Sequence, residues 1–137
     1  MELADGQWRG IAYAVRLAEE RGATRILIEP RIKDELITGW VSPDVYAERV
    51  NEIPLFIEVE DSTGAKFVKD GPRHRAAALL GKAEFVFVLG PGAKGRCERK
   101  LREYYGQTVE IIYLSELISK YGELEVRAAN IAGRGQA

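Results

Sequence analysis

The eight residues Pro54-Leu55-Phe56-Ile57-Glu58-Val59-Glu60-Asp61 carry most of the information about the fold. Their β-branched and aromatic side chains predict a strand that begins after the proline and ends at the turn-prone residues that follow. Side chains alternate across a strand, so one face is wholly apolar and the other carries Phe56, Glu58 and Glu60. The two glutamates therefore project side by side, about 6–7 Å apart. Like charges at that distance repel unless a cation, a proton or solvent compensates them.

A second strand is predicted upstream, in Ser42-Pro43-Asp44-Val45-Tyr46-Ala47-Glu48. A turn around residues 51–54 would fold the two strands into a hairpin. That hairpin brings Asp44 toward the end of the sheet that holds Glu58 and Glu60. The resulting pattern is Pro-Asp, then thirteen residues, then Glu-x-Glu.

The remaining elements follow from hydrophobic periodicity and from glycine and proline punctuation. An amphipathic helix is predicted over residues 5–21, with Arg9, Arg16, Glu19 and Glu20 exposed. Strands are predicted at 24–30, less clearly around 36–41, at 83–89 and at 108–114. Further helices are predicted from Gly71-Pro72 to Gly81, from Lys94 to Tyr105 with Cys97, Leu101, Tyr104 and Tyr105 inside, and from a Ser115 cap to Tyr121.

This order predicts an α/β domain over residues 1–125, followed by a flexible tail at 126–137. Its sheet is mixed and has four to five strands: an antiparallel meander up to Glu60, then parallel strands joined through helices on both faces. The run 83–89 is continuously apolar, which is typical of a strand buried on both faces.

The motif and the element order resemble the PD-(D/E)xK nuclease superfamily, which has a restriction-endonuclease-like αβββαβ core. The resemblance spans residues 5–121 and is greatest to small archaeal nuclease-like domains and Holliday-junction-resolvase-like proteins. It implies that Asp44 and Glu58 bind Mg²⁺ or Mn²⁺ together with the backbone carbonyl of Val59. Glu60 stands where the family usually has lysine, either as a ligand or as a carboxylate just outside the ligand shell. Variants with Glu-Val-Glu at this position exist in the superfamily.

The function implied is hydrolysis of DNA phosphodiester bonds, in which the metal polarises the phosphate and lowers the pKa of the attacking water. The charge-stabilising lysine would be Lys69 or Lys66, both just downstream, unless these are ordinary loop lysines. Branched DNA and a homodimer are further expectations from the resemblance. The alternative for the acidic strand itself is a solvated face of an antiparallel sheet.

Two basic groups could hold a nucleic-acid backbone beside the acidic site. The first comprises Lys69, Arg73, His74 and Arg75, and the second begins with Lys94 and Arg96 and continues through Arg99, Lys100 and Arg102. The alternative is a solvated helix face balanced by acids, which fits the second group better. The segment Gly90-Pro91-Gly92-Ala93-Lys94-Gly95 lacks the spacing of a phosphate-binding P-loop and is predicted to be a turn.

Bulk composition limits the remaining possibilities. The chain has 137 residues, 46% of them hydrophobic and 30% charged, with one Cys, one His and a formal net charge of −1. These values predict one globular domain and exclude an internal disulfide and cysteine- or histidine-rich metal chemistry, which leaves hard, oxygen-liganded ions. No apolar run is long enough to span a membrane, so we expect a cytoplasmic protein. Abundant Glu, Lys and Arg suggest a thermophilic source.

Three functions therefore remain open. The first is a metal-dependent DNA nuclease. The second is a catalytically inactive nuclease-fold module that binds nucleic acid or another protein. The third is a Rossmann-like small-ligand domain, which the missing glycine fingerprint after the first strand disfavours.

Overall fold

The computed structural model describes residues 5–29, 32–33, 40–41, 43–60, 81, 83–93 and 95–124, and the side chains of 5–8, 32–33 and 40–41 are not part of that description. Three helices are described: α1 (Asp5–Glu20), α2 (Arg96–Tyr105) and α3 (Leu114–Tyr121). The strands are β1 (Ala23–Ile28), β2 (Ile32–Lys33), β3 (Trp40–Val41), β4 (Val45–Arg49), β5 (Leu55–Glu60), β6 (Glu84–Leu89) and β7 (Val109–Tyr113).

Five of these strands form one mixed sheet in the order β1-β4-β5-β6-β7. The pairs β1–β4 and β4–β5 are antiparallel, whereas β5–β6 and β6–β7 are parallel. The predicted α/β class and the predicted mixed sheet, a meander followed by parallel strands, are therefore confirmed. The uncertain strand around 36–41 is corrected in part, because Trp40–Val41 pairs with Ile32–Lys33 in a separate two-stranded sheet.

The two faces of the sheet pack against different helices. On one face, α1 and α3 cover a cluster that includes Leu55, Ile57 and Val59 of β5. On the other face, Phe56 belongs to a second cluster that includes Cys97 and Leu101 of α2, and the same cluster takes alternate residues of β6. The predicted alternation of β5 is thus confirmed, and burial of both faces of β6 explains the continuous apolar character of that strand.

Helix α1 lies unusually close to β5. A Cβ atom added at Gly10 would lie 2.3 Å from Cγ1 of Val59, so only glycine fits between the helix and the strand. The helix ends at Glu20, one residue before the predicted end, and Gly22 follows with a φ of +89°, a left-handed conformation that glycine tolerates best. The predicted exposed residues of α1 are all at the surface.

Two predicted details of the later helices are wrong. Tyr104 does not belong to the inner face of α2, since it is 39% exposed, whereas Cys97, Leu101 and Tyr105 are buried. Ser115 does not cap α3, because β7 continues directly into the helix at Leu114. The backbone N–H of Tyr113 donates instead to Oε1 of Glu116 at 3.1 Å.

Several predictions concern residues outside the described ranges. They include the helix from Gly71-Pro72 to Gly81, except for Gly81 itself, and the flexible tail at 126–137. Within the described part of the chain, no helix has both the length and the apolar character needed to cross a membrane.

Candidate functional site

Three acidic residues are buried together at one end of the five-stranded sheet. Asp44 is 3% exposed, Glu58 is 8% exposed and Glu60 is 7% exposed. In the described ranges, no other acidic residue is as completely buried. Burying carboxylates is costly unless hydrogen bonds or cations compensate the lost hydration. The solvated acidic face considered above is therefore wrong for Glu58 and Glu60.

The hairpin of β4 and β5 brings Asp44 and Glu58 together. Val45 pairs with Ile57, so extending this antiparallel register by one residue places Asp44 opposite Glu58. Val45 and Ile57 both face the α1 side of the sheet, so their neighbours Asp44 and Glu58 belong to the opposite face. The predicted approach of Asp44 to Glu58 is confirmed.

Reciprocal hydrogen bonds link the two segments. The backbone N–H of Asp44 donates to Oε1 of Glu58 at 3.0 Å. The backbone N–H of Val59 donates to Oδ2 of Asp44 at 2.7 Å. Each carboxylate is thus oriented by a backbone donor from the opposite segment.

Pro43 interrupts the regular pairing between β4 and β5. The same register places Pro43 opposite Val59, and proline has no N–H with which to extend the ladder. The N–H of Val59 donates to the carboxylate of the next residue, Asp44. The Pro-Asp dipeptide therefore lies where the regular pairing of β4 with β5 ends, and the carboxylate of Asp44 bonds to β5 there.

Glu60 lies further along β5, beside helix α2. Its backbone carbonyl accepts from the N–H of Gly90 at 2.9 Å, just before the turn that leads into α2. Burial raises the pKa of the Cys97 thiol to about 11, and the negative charge of Glu60 contributes in the same direction. A thiol in this state is protonated and is a poor nucleophile and metal ligand. Cys97 is therefore a core residue beside the acidic site.

The other predicted site residues divide into two groups. Arg96 is the first residue of α2 and is exposed. Six of them lie outside the described residues: Lys66, Lys69, Arg73, His74, Arg75 and Lys94. Their predicted roles as charge stabiliser and nucleic-acid contacts stay predictions.

Sequence reasoning missed Glu29, which follows β1 at the same end of the sheet. Its φ is +52°, a conformation that a non-glycine residue rarely adopts, and its N–H donates to the carbonyl of Asp44 at 2.9 Å. Strained residues of this kind often accompany functional sites. The sequence signalled only that the strand ends at Pro30, because a left-handed glutamate has no distinctive pattern.

Within the described residues, no three His, Cys, Asp or Glu side chains form a group that could hold a metal ion. Asp44 and Glu58 together have two carboxylates that could act as ligands, and Glu60 lies further along the same face of β5. No protein-family model, curated protein or solved structure matches this chain.

Proposed function

We propose that this protein is a metal-dependent nuclease-like enzyme that hydrolyses phosphodiester bonds in DNA. The observation that carries the proposal is the buried, hydrogen-bonded pair of Asp44 and Glu58. A hydrophobic pair would be the cheaper solution for stability alone, since buried carboxylates pay a desolvation cost. Ionisable groups held in such environments are candidates for functional sites.

The order of elements supports the same proposal. If the separate two-stranded sheet of β2 and β3 is left aside, the described order α1, β1, β4 and β5 follows the first four elements of the αβββαβ core that the sequence resembles. Strand β6 follows parallel to β5, on the side of β5 away from the meander. The helix expected between β5 and β6 belongs to residues outside the described ranges.

The donor set fits Mg²⁺ or Mn²⁺, which prefer carboxylate, carbonyl and water oxygens. Asp44 and Glu58 would hold the ion, together with the backbone carbonyl of Val59. Mg²⁺ in phosphoryl-transfer sites is commonly held by one or two carboxylates, with water and substrate phosphate as its other ligands. When bound, the metal supplies polarisation of the scissile phosphate and a lowered pKa for the attacking water.

The protein's own residues would position this chemistry. The backbone N–H groups of Asp44 and Val59 fix the two carboxylates before any ion arrives, so little reorganisation accompanies binding. Glu60 adds negative charge on the same face of the strand and would attract the cation. Lys66 or Lys69 would stabilise the charge that develops on the phosphate.

A cleavage assay tests the proposal. The protein would be incubated with linear, nicked, branched and single-stranded DNA in the presence of Mn²⁺ or Mg²⁺. We expect cleavage by the wild type and a loss of at least about a hundredfold in Asp44→Asn and in Glu58→Gln, because each variant removes a metal-binding charge at nearly constant shape.

The matched control is Glu48→Gln, which removes one carboxylate from β4 at a surface ion pair with Arg25. This variant should cleave at the wild-type rate. Undiminished cleavage by Asp44→Asn would contradict the proposal, as would the absence of cleavage with both metals on all four substrates.

The second candidate is a noncatalytic module on the same scaffold. The observation that favours it is Glu60, which is buried where the resembled family usually has a lysine. If the wild type binds DNA but cleaves none of the four substrates with either metal, this second function replaces the first.

A further inference from the structure

Helix α2 has a surface that differs in charge from the rest of the described chain. Its ten residues include four cations and two acids, a net charge of +2 on a chain whose formal net charge is −1. Arg96, Arg99 and Lys100 are spaced at i, i+3 and i+4 and therefore share one face of the helix. Arg96 and Arg99 are exposed and Lys100 is half-buried.

These three cations differ from the described cations elsewhere on the chain, most of which have a partner. The partnered side chains, among those that the structure describes, are Arg9 with Glu123, Arg16 over the ring of Tyr121, Arg21 with Glu110, Arg25 with Glu48, Arg49 with Glu84, and Lys120 with Glu20. Over the same described ranges, Arg96, Arg99 and Lys100 take part in no ion pair.

The acids of α2 do not neutralise this face. Glu98 is hydrogen-bonded to the hydroxyl of Tyr113, which together with burial raises the pKa of that tyrosine. Glu103 lies one turn beyond Arg99, but no ion pair joins it to a cation in the described ranges. The exposed face of α2 therefore keeps its positive charge available to an external anion.

The position of α2 relates this positive face to the acidic site. The carbonyl of Glu60 accepts from Gly90, and the 3₁₀ turn Pro91–Ala93 leads from there to Arg96. Helix α2 packs on the face of the sheet to which Glu58 and Glu60 belong, through Cys97 and Leu101. The helix thus begins at the end of the sheet that holds the buried carboxylates.

We propose that the exposed face of α2, formed by Arg96, Arg99 and Lys100, binds the phosphodiester backbone of a nucleic acid beside the acidic site. The choice of partner rests on the proposed function. Guanidinium groups suit phosphate because their forked N–H donors match its oxygens. A row of cations next to buried carboxylates would hold a polyanion that the carboxylates alone would repel.

The test is the salt dependence of binding, measured by fluorescence anisotropy in EDTA so that no cleavage occurs. The labelled probes are duplex DNA, single-stranded DNA and duplex RNA of equal length. We expect the triple variant Arg96→Gln, Arg99→Gln, Lys100→Gln to lower the slope of log affinity against log salt by about 3 for duplex DNA, close to one for each lost phosphate contact.

The matched control is the triple variant Arg9→Gln, Arg16→Gln, Lys120→Gln. It changes the net charge equally, but its residues lie on α1 and α3, which pack on the opposite face of the sheet. Its salt slope should stay at the wild-type value. An equal loss in both variants would overturn the proposal, because net charge rather than α2 would then govern binding.

Two further outcomes decide the proposal independently of catalysis. Failure of the wild type to bind any probe, or equally good competition by polyglutamate, would overturn it. Binding with the expected slope change, but no cleavage with Mn²⁺ or Mg²⁺, would support the α2 surface and refute the nuclease function. The relative affinities of the three probes identify whether the backbone belongs to DNA or RNA.

Discussion

Asp44 has a structural role that can be measured without any substrate. Its carboxylate accepts the N–H of Val59, and its own N–H is bound by Glu58, so two backbone donors in a buried region depend on acidic side chains. A buried donor without an acceptor has lost its hydrogen bond to water and forms none in the protein, which destabilises the folded state. Removing the side-chain oxygens of Asp44 and removing only its charge should therefore change the stability of the protein by different amounts.

We expect Asp44→Ala to lower the free energy of unfolding by about 1–3 kcal/mol, because it leaves the N–H of Val59 without this acceptor. Asp44→Asn keeps a carbonyl oxygen in the same place and should cost clearly less. Urea unfolding in metal-free buffer measures both. Glu48→Ala, at a surface position of β4, is the control and should change stability by less than about 0.5 kcal/mol. Equal losses for Asp44→Ala and Asp44→Asn would contradict this role.

For single residues, the sequence predicts which side chains lie together better than it predicts how deeply they are buried. Strand alternation and the hairpin place Asp44 and Glu58 together, since both follow from local geometry. The burial of Glu58 and Glu60 does not follow, because it depends on what packs over the sheet from segments distant in sequence. The left-handed backbone of Glu29 is also set by tertiary contacts and leaves no local pattern.

The close contact between α1 and β5 depends on the absence of a side chain at Gly10. Gly10 lets the helix approach until an added Cβ would lie 2.3 Å from Val59, well inside van der Waals contact. Val59 is also the residue whose N–H binds Asp44. The distance between helix and strand is therefore coupled to the geometry of the acidic site.

We expect Gly10→Ala to destabilise the protein by about 1–2 kcal/mol. The steric clash of the new methyl group with Val59 should outweigh the higher helix propensity of alanine. Val59→Ala alone should also destabilise, by leaving a cavity. The double variant should be more stable than the sum of the two losses predicts, by at least about 0.5 kcal/mol, because the new methyl enters the vacated space. Chemical denaturation of the four proteins gives this coupling energy.

The control for this cycle is Glu19→Ala, an exposed substitution on the same helix that should leave stability nearly unchanged. Strictly additive losses for Gly10→Ala and Val59→Ala would show that the helix shifts away and that the close approach is unimportant.

Elements with strong periodicity could be predicted, whereas their junctions could not. Strand β5 has a pattern of period 2, and helix α1 has one of period 3.6. Strand β6 is continuously apolar. Strands β2 and β3 have two residues each, too few for any period. The predicted start of α3 at a Ser115 cap is wrong because no loop separates the helix from β7; Glu116 rather than Ser115 accepts from the backbone N–H of Tyr113.

In the part of the molecule that the structure describes, the two ends of the five-stranded sheet carry different arrangements of charge. The acidic site lies where β5 ends and β4 begins. A network of ion pairs lies at the other end, where Arg49 bonds to Glu84 at 3.0 Å and Arg21 contacts both Glu84 and Glu110. This network joins β4, β6 and β7 to the residue that follows α1.

The Arg21–Glu110 pair should make stability depend on pH. The pair is bidentate, with N–O distances of 2.7 and 2.8 Å. The hydrogen bond from Arg21 holds the pKa of Glu110 below its ordinary value of 4.5. A depressed pKa in the folded state stabilises the protein above the unfolded-state pKa, and this contribution disappears as the pH falls through the folded-state pKa. The affected window therefore lies below 4.5.

We expect Glu110→Gln to lower the free energy of unfolding by about 0.5–1 kcal/mol near pH 7, a modest amount because the Glu110 side chain is 43% exposed. The difference from the wild type should shrink steadily as the pH falls from about 4.5 toward 3, since the wild-type carboxylate then becomes protonated and loses its charge-assisted bonds. Urea unfolding at several pH values measures this convergence. Glu52→Gln is the matched control, because its 3.9 Å contact with Arg49 is looser and Glu52 is 58% exposed. A constant difference at all pH values would mean that Glu110 acts through packing, and the ion pair would then contribute nothing to the coupling of α1 with the parallel strands.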